Sequence, residues 1–223
     1  MIAAVTGIMA YAGFVAFKGP DNNGDKEKLI LKAVLTMMQQ VHFKNPPLDD
    51  NFSHRLYDTY MDRLDGMKRF LIMEDLDLLD DYQDSLDDQI RTDDLKFFEI
   101  SYKLINNSIE KTCKWYPELL SQPFDFTIKD SIETDGEKRS YAKDDAELKE
   151  FWRSYLKYET LTRLSDKIKE QETATEVPEG GKKSVAELEA DARKDVLEVF
   201  DEWYERMDKV RRSDRFEMYV NSI

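Results

Sequence analysis

The chain has 223 residues, with 33 Lys and Arg against 47 Asp and Glu, a formal net charge of −14, and 41% hydrophobic residues. That apolar share is enough to bury a core, which excludes wholesale disorder, and the acidic balance argues against nucleic acid, whose phosphates call for clustered Lys and Arg. One cysteine, Cys113, excludes an intrachain disulfide, and the two histidines beside it are too few for a structural zinc site.

The amino terminus reads as a separate object. From Ile2 to Phe17 run sixteen residues without a charge, closed by Lys18. That is short of the roughly 20 apolar residues a spanning helix needs and fits the hydrophobic region of a secretory signal. Ala10-Tyr11-Ala12 offers an A-x-A-like cleavage site, although it lies inside the apolar run, and no basic n-region precedes it. Residues 1–20 are therefore expected to be a signal peptide or membrane anchor, giving a cell-envelope or periplasmic protein with a possible membrane tether. No cysteine follows the run, so a lipoprotein anchor does not arise here. A buried helix of the domain is the weaker alternative, because the run is apolar on every face and leads into the loop-like Gly19-Pro20-Asp21-Asn22-Asn23-Gly24.

Residues 25–223 read as helices in series, an all-α, bundle-like domain with a short extended segment and loop near 122–143. The first helix, over 25–43, places Leu29, Ile30, Ala33, Val34, Met37, Met38 and Val41 at three- and four-residue spacing on one face. Asn45-Pro46-Pro47 ends it, since proline lacks the amide donor and restricts its predecessor. A second, over 49–64, stacks Phe52, Leu56, Tyr60 and Leu64 one turn apart behind an Asp49 or Asp50 cap, and Gly66 breaks the chain. A third, over 73–91, buries Leu76, Leu79, Tyr82, Leu86 and Ile90. The fourth, over 93–120, runs through Phe98, Tyr102, Ile105, Ile109, Cys113 and Tyr116, with Thr92 or Asp93 as its cap.

Gln122 to Ile128 alternates apolar and polar residues, the pattern of a short extended piece, and the polar stretch to Lys143 reads as loop. Asp144 and Glu147 form a capping box that opens a helix over 145–171, with Leu148, Phe151, Trp152, Tyr155, Leu156, Leu161, Leu164 and Ile168 buried. Residues 172–183, with Pro178, Gly180 and Gly181, are the clearest internal linker. Ser184 and Glu187 form a second capping box, opening a helix to about 211 through Leu188, Ala192, Val196, Phe200, Trp203, Met207 and Val210. A last helix, over 213–221, carries Phe216, Tyr219 and Val220, which with Ile223 make an apolar stripe reaching the final residue. Such a stripe suggests a chain cut from something longer.

No motif carries chemistry. Between Glu74 and Asp94 ten carboxylates face one base, Arg91, so these 21 residues hold −9 of the total charge. A calcium loop needs ligands at alternate positions around a central glycine, but Leu78 and Leu79 follow Asp77 with no glycine. A solvated helix face, with Asp77, Asp80, Asp81, Asp84, Asp87 and Asp88 pointing away from the leucines, is the expected role. His42 is read as packing at a helix end and His54 as lying on a polar face; neither has a Ser or Cys at nucleophile spacing. Gly180-Gly181-Lys182-Lys183-Ser184 lacks the upstream glycine and strand of a phosphate loop. Trp115, Trp152 and Trp203 are read as core or interface aromatics. No catalytic, cofactor-binding or metal-ligating residue is assigned, and no cofactor is expected.

A family resemblance adds to this reading. Leu48-Asp49-Asp50-Asn51-Phe52-Ser53, then Tyr60-Met61-Asp62-Arg63-Leu64-Asp65 and Phe70-Leu71-Ile72-Met73-Glu74-Asp75, resemble the N-terminal domain of bacterial tail-specific proteases. The likeness continues through Asp81-Tyr82, Leu86-Asp87-Asp88, Leu119-Leu120, Pro123-Phe124-Asp125-Phe126, Ala146-Glu147-Leu148 and Trp152 to Leu164, covering about residues 27–220. These are packing and turn residues, so the order and spacing carry the match. The resemblance implies an exported C-terminal processing serine peptidase in which this helical domain precedes a PDZ domain and a protease core with a Ser–Lys dyad. Its partners would be those downstream domains, and a substrate or adaptor. No catalytic residue of that machinery maps onto this sequence.

Two other classes remain open on the sequence. One is a free-standing helical interaction protein of the envelope. The other is an independent enzyme using the acidic face, in which Asp80, Asp81, Asp84 and Asp88 would matter together.

Overall fold

The computed structural model describes residues 23–41, 47–174 and 181–223. Eight α-helices follow one another among them: α1 Asn23–Val41, α2 Asp50–Asp65, α3 Met73–Asp80, α4 Leu86–Arg91, α5 Lys96–Leu120, α6 Asp145–Thr173, α7 Val185–Asp208 and α8 Arg212–Val220. The fold is all-α, as expected. Among the described residues the one β-type contact is an isolated parallel bridge between Ile72 and Ala142. The apolar run 2–17, the Ala10-Tyr11-Ala12 site, His42, Asn45-Pro46 and linker residues 175–180 lie outside the described residues.

The long helices supply the frame. α6 and α7 run antiparallel: Leu164 packs with Leu188 and Ala192 at one end, and Trp152 meets Phe200 and Tyr204 toward the other. α5 lies against both, and the short helices α2, α3, α4 and α8 close the remaining sides with α1 at the edge. Two ring clusters share one core. Tyr60, Phe97, Phe98, Phe216 and Tyr219 join α2, α5 and α8, with Tyr60 edge-on to Tyr219 at 5.2 Å. Trp152, fully buried, gathers Phe70, Tyr155, Phe200, Trp203 and Tyr204, and Tyr116 stacks on Tyr204 at 4.7 Å.

Start signals read from the sequence largely hold. Asp49 accepts from the Phe52 amide at 2.9 Å. Ser184 and Glu187 complete both halves of their box. Asp144 accepts from the Glu147 amide at 2.9 Å, but Glu147 reaches back to the amide of Lys143 at 2.7 Å.

Several expectations need correction. The helix expected over 73–91 is two helices, parted by tight turns at 81–85. Asp77, Asp80, Asp81 and Asp84 would stack like charges at three- and four-residue spacing in a continuous helix, and aspartate is a weak helix former. The fourth helix starts at Lys96: Thr92 bonds back to Asp88 O at 2.8 Å, Asp93 takes φ +55°, and Gln89 and Asp94 cap the amides of Phe97 and Lys96. Residues 122–128 form no strand, because Asp125 accepts from both Thr127 N (2.8 Å) and Thr127 Oγ1 (2.6 Å) and folds the segment into a turn.

Leu161 is exposed on α6, where Thr160 takes the inward position of the Leu148–Trp152–Leu156–Leu164 stripe. Val210 lies beyond the end of α7 and is exposed, while Tyr204 is buried. Phe216 and Tyr219 are buried inside this body, against rings of α2 and α5.

The largest departure is α1. Its inward residues are Leu31, fully buried, with Leu35 and Met38 packed against the core, whereas Leu29, Ile30 and Met37 of the predicted face are 46%, 38% and 53% exposed. At 100° per residue, Leu31, Leu35 and Met38 form one apolar sector and Ile30, Ala33 and Met37 another. Periodicity does not choose between them; Glu27, one turn before Leu31 and bonded to Arg212, does.

Candidate functional site

Four places hold the groups from which a site could be built: the acidic stretch, the turn after α2, the lone thiol and the groove between α1 and α8.

The acidic stretch is partly solvated and partly spent on the fold. Glu74, Asp77, Asp80, Asp81, Asp84, Asp88 and Asp94 are exposed. Asp87 is not, contrary to expectation: it is 4% exposed, accepts from Ser53 Oγ at 2.9 Å and from Arg91 at 2.7 Å, and returns its own amide to Ser53 Oγ. Asp80 accepts the Tyr57 hydroxyl, and burial, reinforced by that bond, holds the phenol well above its ordinary range. Asp75 caps the Ile72 amide at 3.0 Å, and burial raises its carboxyl. Asp84 pairs with His54 Nε2 at 2.7 Å on an exposed face. Asp75, Asp80, Asp84 and Asp87 thus each have a partner within the chain.

The turn after α2 is built around Asp65, which the sequence reading passed over. Its carboxylate is 4% exposed and accepts three consecutive amides, from Arg69 at 2.8 Å, Phe70 at 3.0 Å and Leu71 at 2.9 Å. Burial pushes this carboxyl up to about 6, against the opposing pull of those three donors. The wrapped turn offers the Arg69 carbonyl to Trp152 Nε1 at 2.9 Å, seating the indole. Loop 121–144 is sewn onto the same turn. Lys68 donates to Arg139 O, Arg139 donates to Met67 O at 3.1 Å, and Met73 N donates to Ala142 O at 2.9 Å. Gly136 passes so close to Gly66 that a side chain there would collide with the Gly66 carbonyl. An aspartate followed by Gly66 and Lys68 was the available signal, since Asp bonds local backbone in turns.

Cys113 is half-buried, and burial with Asp208 and Asp201 nearby raises its thiol, the reverse of an activated nucleophile. Among the described residues no three His, Cys, Asp or Glu side chains are grouped to hold a metal ion. None of the described helices is long and apolar enough to cross a membrane.

The groove between α1 and α8 has a volume of about 520 Å³. Ile30, Phe216 and Val220 give it an apolar lining, and Glu27 and Arg212 stand at its edge. Arg212 donates to both oxygens of Glu27 at 2.8 and 2.7 Å and to Glu99 at 3.0 and 2.5 Å. Its guanidinium also lies 5.0 Å from the Phe98 ring centre. One side chain of α8 thereby ties α1 to α5. This arrangement can hold helices in place and receive an apolar surface, and Lys26 and Ser213 line the groove beside it.

Two comparisons with known proteins bear on the whole. Residues 34–223 match the family described as the tail specific protease N-terminal domain. The tail-specific protease of Haemophilus influenzae is 27% identical over 145 residues, which are 64% of this chain and 21% of that protein. The chain thus matches about a fifth of the length of this curated relative.

Proposed function

We propose that this chain, which belongs to the tail-specific protease N-terminal domain family, is the non-catalytic helical scaffold of an exported C-terminal processing serine peptidase. The observation that carries this reading is the use made of the buried and half-buried acids. Asp65, Asp75, Asp87 and Glu27 are each turned onto the chain's own amides, hydroxyls or guanidinium groups, which supports a structural use of these carboxylates over proton transfer to a substrate. Bond cleavage then falls to a Ser–Lys protease core elsewhere in the polypeptide, beyond a PDZ domain on the family's pattern. Residues 25–223 form the helical domain, with 172–183 as an internal linker and residues 1–20 as leader or tether, and the working location is the cell envelope.

Two experiments test this. The chain incubated with a peptide bearing an apolar C-terminus should leave it intact; cleavage that scales with chain concentration and survives repurification overturns the scaffold role. In the whole protein, replacing the downstream serine nucleophile should abolish cleavage while leaving this domain folded.

A further inference from the structure

A second groove, between α5 and α8, holds cations and amides that the fold leaves unpaired. Glu99, Tyr102, Lys103, Asn106 and Asn107 recur at three- and four-residue spacing and so share one side of α5. With Arg212 of α8 they line a volume of about 470 Å³, within the range of small-ligand sites. Half-buried Ile100 and the Tyr102 ring add an apolar wall. Glu99 stands one turn before Lys103 but is held by Arg212 at 3.0 and 2.5 Å. No described side chain bonds Lys103, Asn106 or Asn107. One turn along α8 from Arg212, Arg215 is half-buried, and its Nε is buried without an acceptor. The groups whose field reaches it are the phenols of Tyr60 and Tyr102, and burial draws its pKa below the ordinary value. A desolvated cation normally has an acid beside it; among the described residues Arg215 has none. The surrounding chain is basic as well: residues 206–215 carry five bases against two acids, in a molecule of net charge −14.

We infer that the α5–α8 groove is a carboxylate-binding site, in which Lys103 and the amides of Asn106 and Asn107 donate to the anion while Tyr102 and Ile100 receive the organic body behind it. Lysine and asparagine N–H groups match the two acceptor oxygens of a carboxylate, and the charged bonds among them are the strong ones. The charge count selects the class of anion. Lys103, Arg212 and Arg215 stand with Glu27 and Glu99, both bonded to Arg212, a surplus of one positive charge. A carboxylate neutralises that surplus; a phosphate dianion exceeds it and meets Glu99. The same group comes either on a free organic acid or on an acidic side chain of another protein. The inference stands apart from the scaffold reading, since a helical scaffold needs no ligand here.

The test titrates the isotope-labelled chain with butyrate, with the blocked amino acid N-acetyl-glutamic acid α-amide, and with inorganic phosphate. Nuclear magnetic resonance follows the side-chain amides of Asn106 and Asn107 and the Arg215 Nε–H. A carboxylate is expected to saturate these signals with a Kd on the order of 1 mM. Saturation by butyrate alone supports a free acid as the source, by the blocked glutamate alone a protein side chain, and by both the shared group. Lys103→Gln should weaken binding about tenfold, the worth of one charged hydrogen bond, at an unchanged melting temperature. Lys129→Gln, at an exposed position in the loop after α5, should leave it unaltered. Arg215→Gln should also weaken binding, and Arg215→Lys, which keeps the charge, should restore most of it; if Arg215→Gln fails to fold, Lys103→Gln decides. Phosphate binding more tightly than either carboxylate, equal losses in Lys103→Gln and Lys129→Gln, or signals that never saturate would each overturn the inference.

Discussion

Trp152 and Leu31 are both fully buried, yet what surrounds them differs in kind. Trp152 sits among Phe70, Tyr155, Phe200, Trp203 and Tyr204 and donates to a backbone carbonyl held in place by a buried carboxylate. Leu31 is the one fully buried apolar side chain of α1 among the described residues, and the helix owes its angle to an ion pair beside it. Large rings leave one way to pack a helix, because few orientations bury so much area. A helix of Leu, Val and Met has several, and a charged contact selects one.

The strongest way to break this contrast is to empty each centre. Trp152→Ala is expected to cost about 3–5 kcal/mol, lowering the melting temperature by roughly 10 °C, with the whole chain unfolding together. Leu31→Ala should cost about 2 kcal/mol and appear chiefly as faster amide exchange within α1. Equal losses of global stability in urea titrations would show that α1 belongs to the same cooperative unit as the ring cluster.

Asp65 extends the aromatic side of the comparison to pH. Asp65→Ala leaves three amide donors without their acceptor and should cost about 3 kcal/mol near pH 7. Its folded pKa of about 6 lies above the ordinary 3.8, so the folded state takes up the proton first. The stability tied to this group is therefore fully present below about pH 4 and lost as pH rises through 6. Between pH 7 and pH 4.5 the wild-type chain should gain on the alanine variant, by about 2 kcal/mol. A gap that stays constant over that window, or narrows toward acid, would show the carboxylate to be better solvated than its burial implies.

On the α1 side, Glu27→Gln should cost about 1–2 kcal/mol, less than a wholly buried pair, because Arg212 keeps Glu99 as a partner. The loss should be confined to α1 exchange. A fall in global stability comparable to that of Trp152→Ala would erase the distinction between the two regions.

How much of this was legible beforehand follows the same division. Phe52, Leu56, Tyr60 and Leu64 of α2, and Leu188, Ala192, Val196 and Phe200 of α7, repeat at one-turn spacing beside strongly polar faces, and all are buried as read. The capping serine and aspartates marked helix starts because their side chains act within four residues. What stayed hidden was long-range. Glu27 and Arg212 are 185 residues apart, Ser53 and Asp87 are 34 apart, and no local pattern joins them. For the same reason the acidic stretch looked uniformly solvated although Asp87 is buried. Nothing in its spacing separates Asp87, buried against Ser53, from Asp88, which pairs with Arg91 on the exposed face. No site residue was assigned from the sequence, and the groove could not have been, since it depends on which sector of α1 turns outward.

The smallest expected effect concerns the part of the acidic stretch that remains in water. Asp77 and Asp81 are exposed and four residues apart, with Asp80 and Asp84 at neighbouring positions of the same sign. Like charges at that spacing oppose helix by a few tenths of a kcal/mol, which is one reason α3 ends at Asp80. Replacing both by asparagine removes repulsion without removing a described partner, so stability should change by no more than about 0.5 kcal/mol, and upward. Added salt should raise wild-type stability slightly and shrink that difference, because exposed charges are screened within about 10 Å at 0.1 M. A loss of more than about 1 kcal/mol would mean that these carboxylates hold something in place, as Asp87 does. The line between spent and solvated acids would then have to be redrawn toward α3.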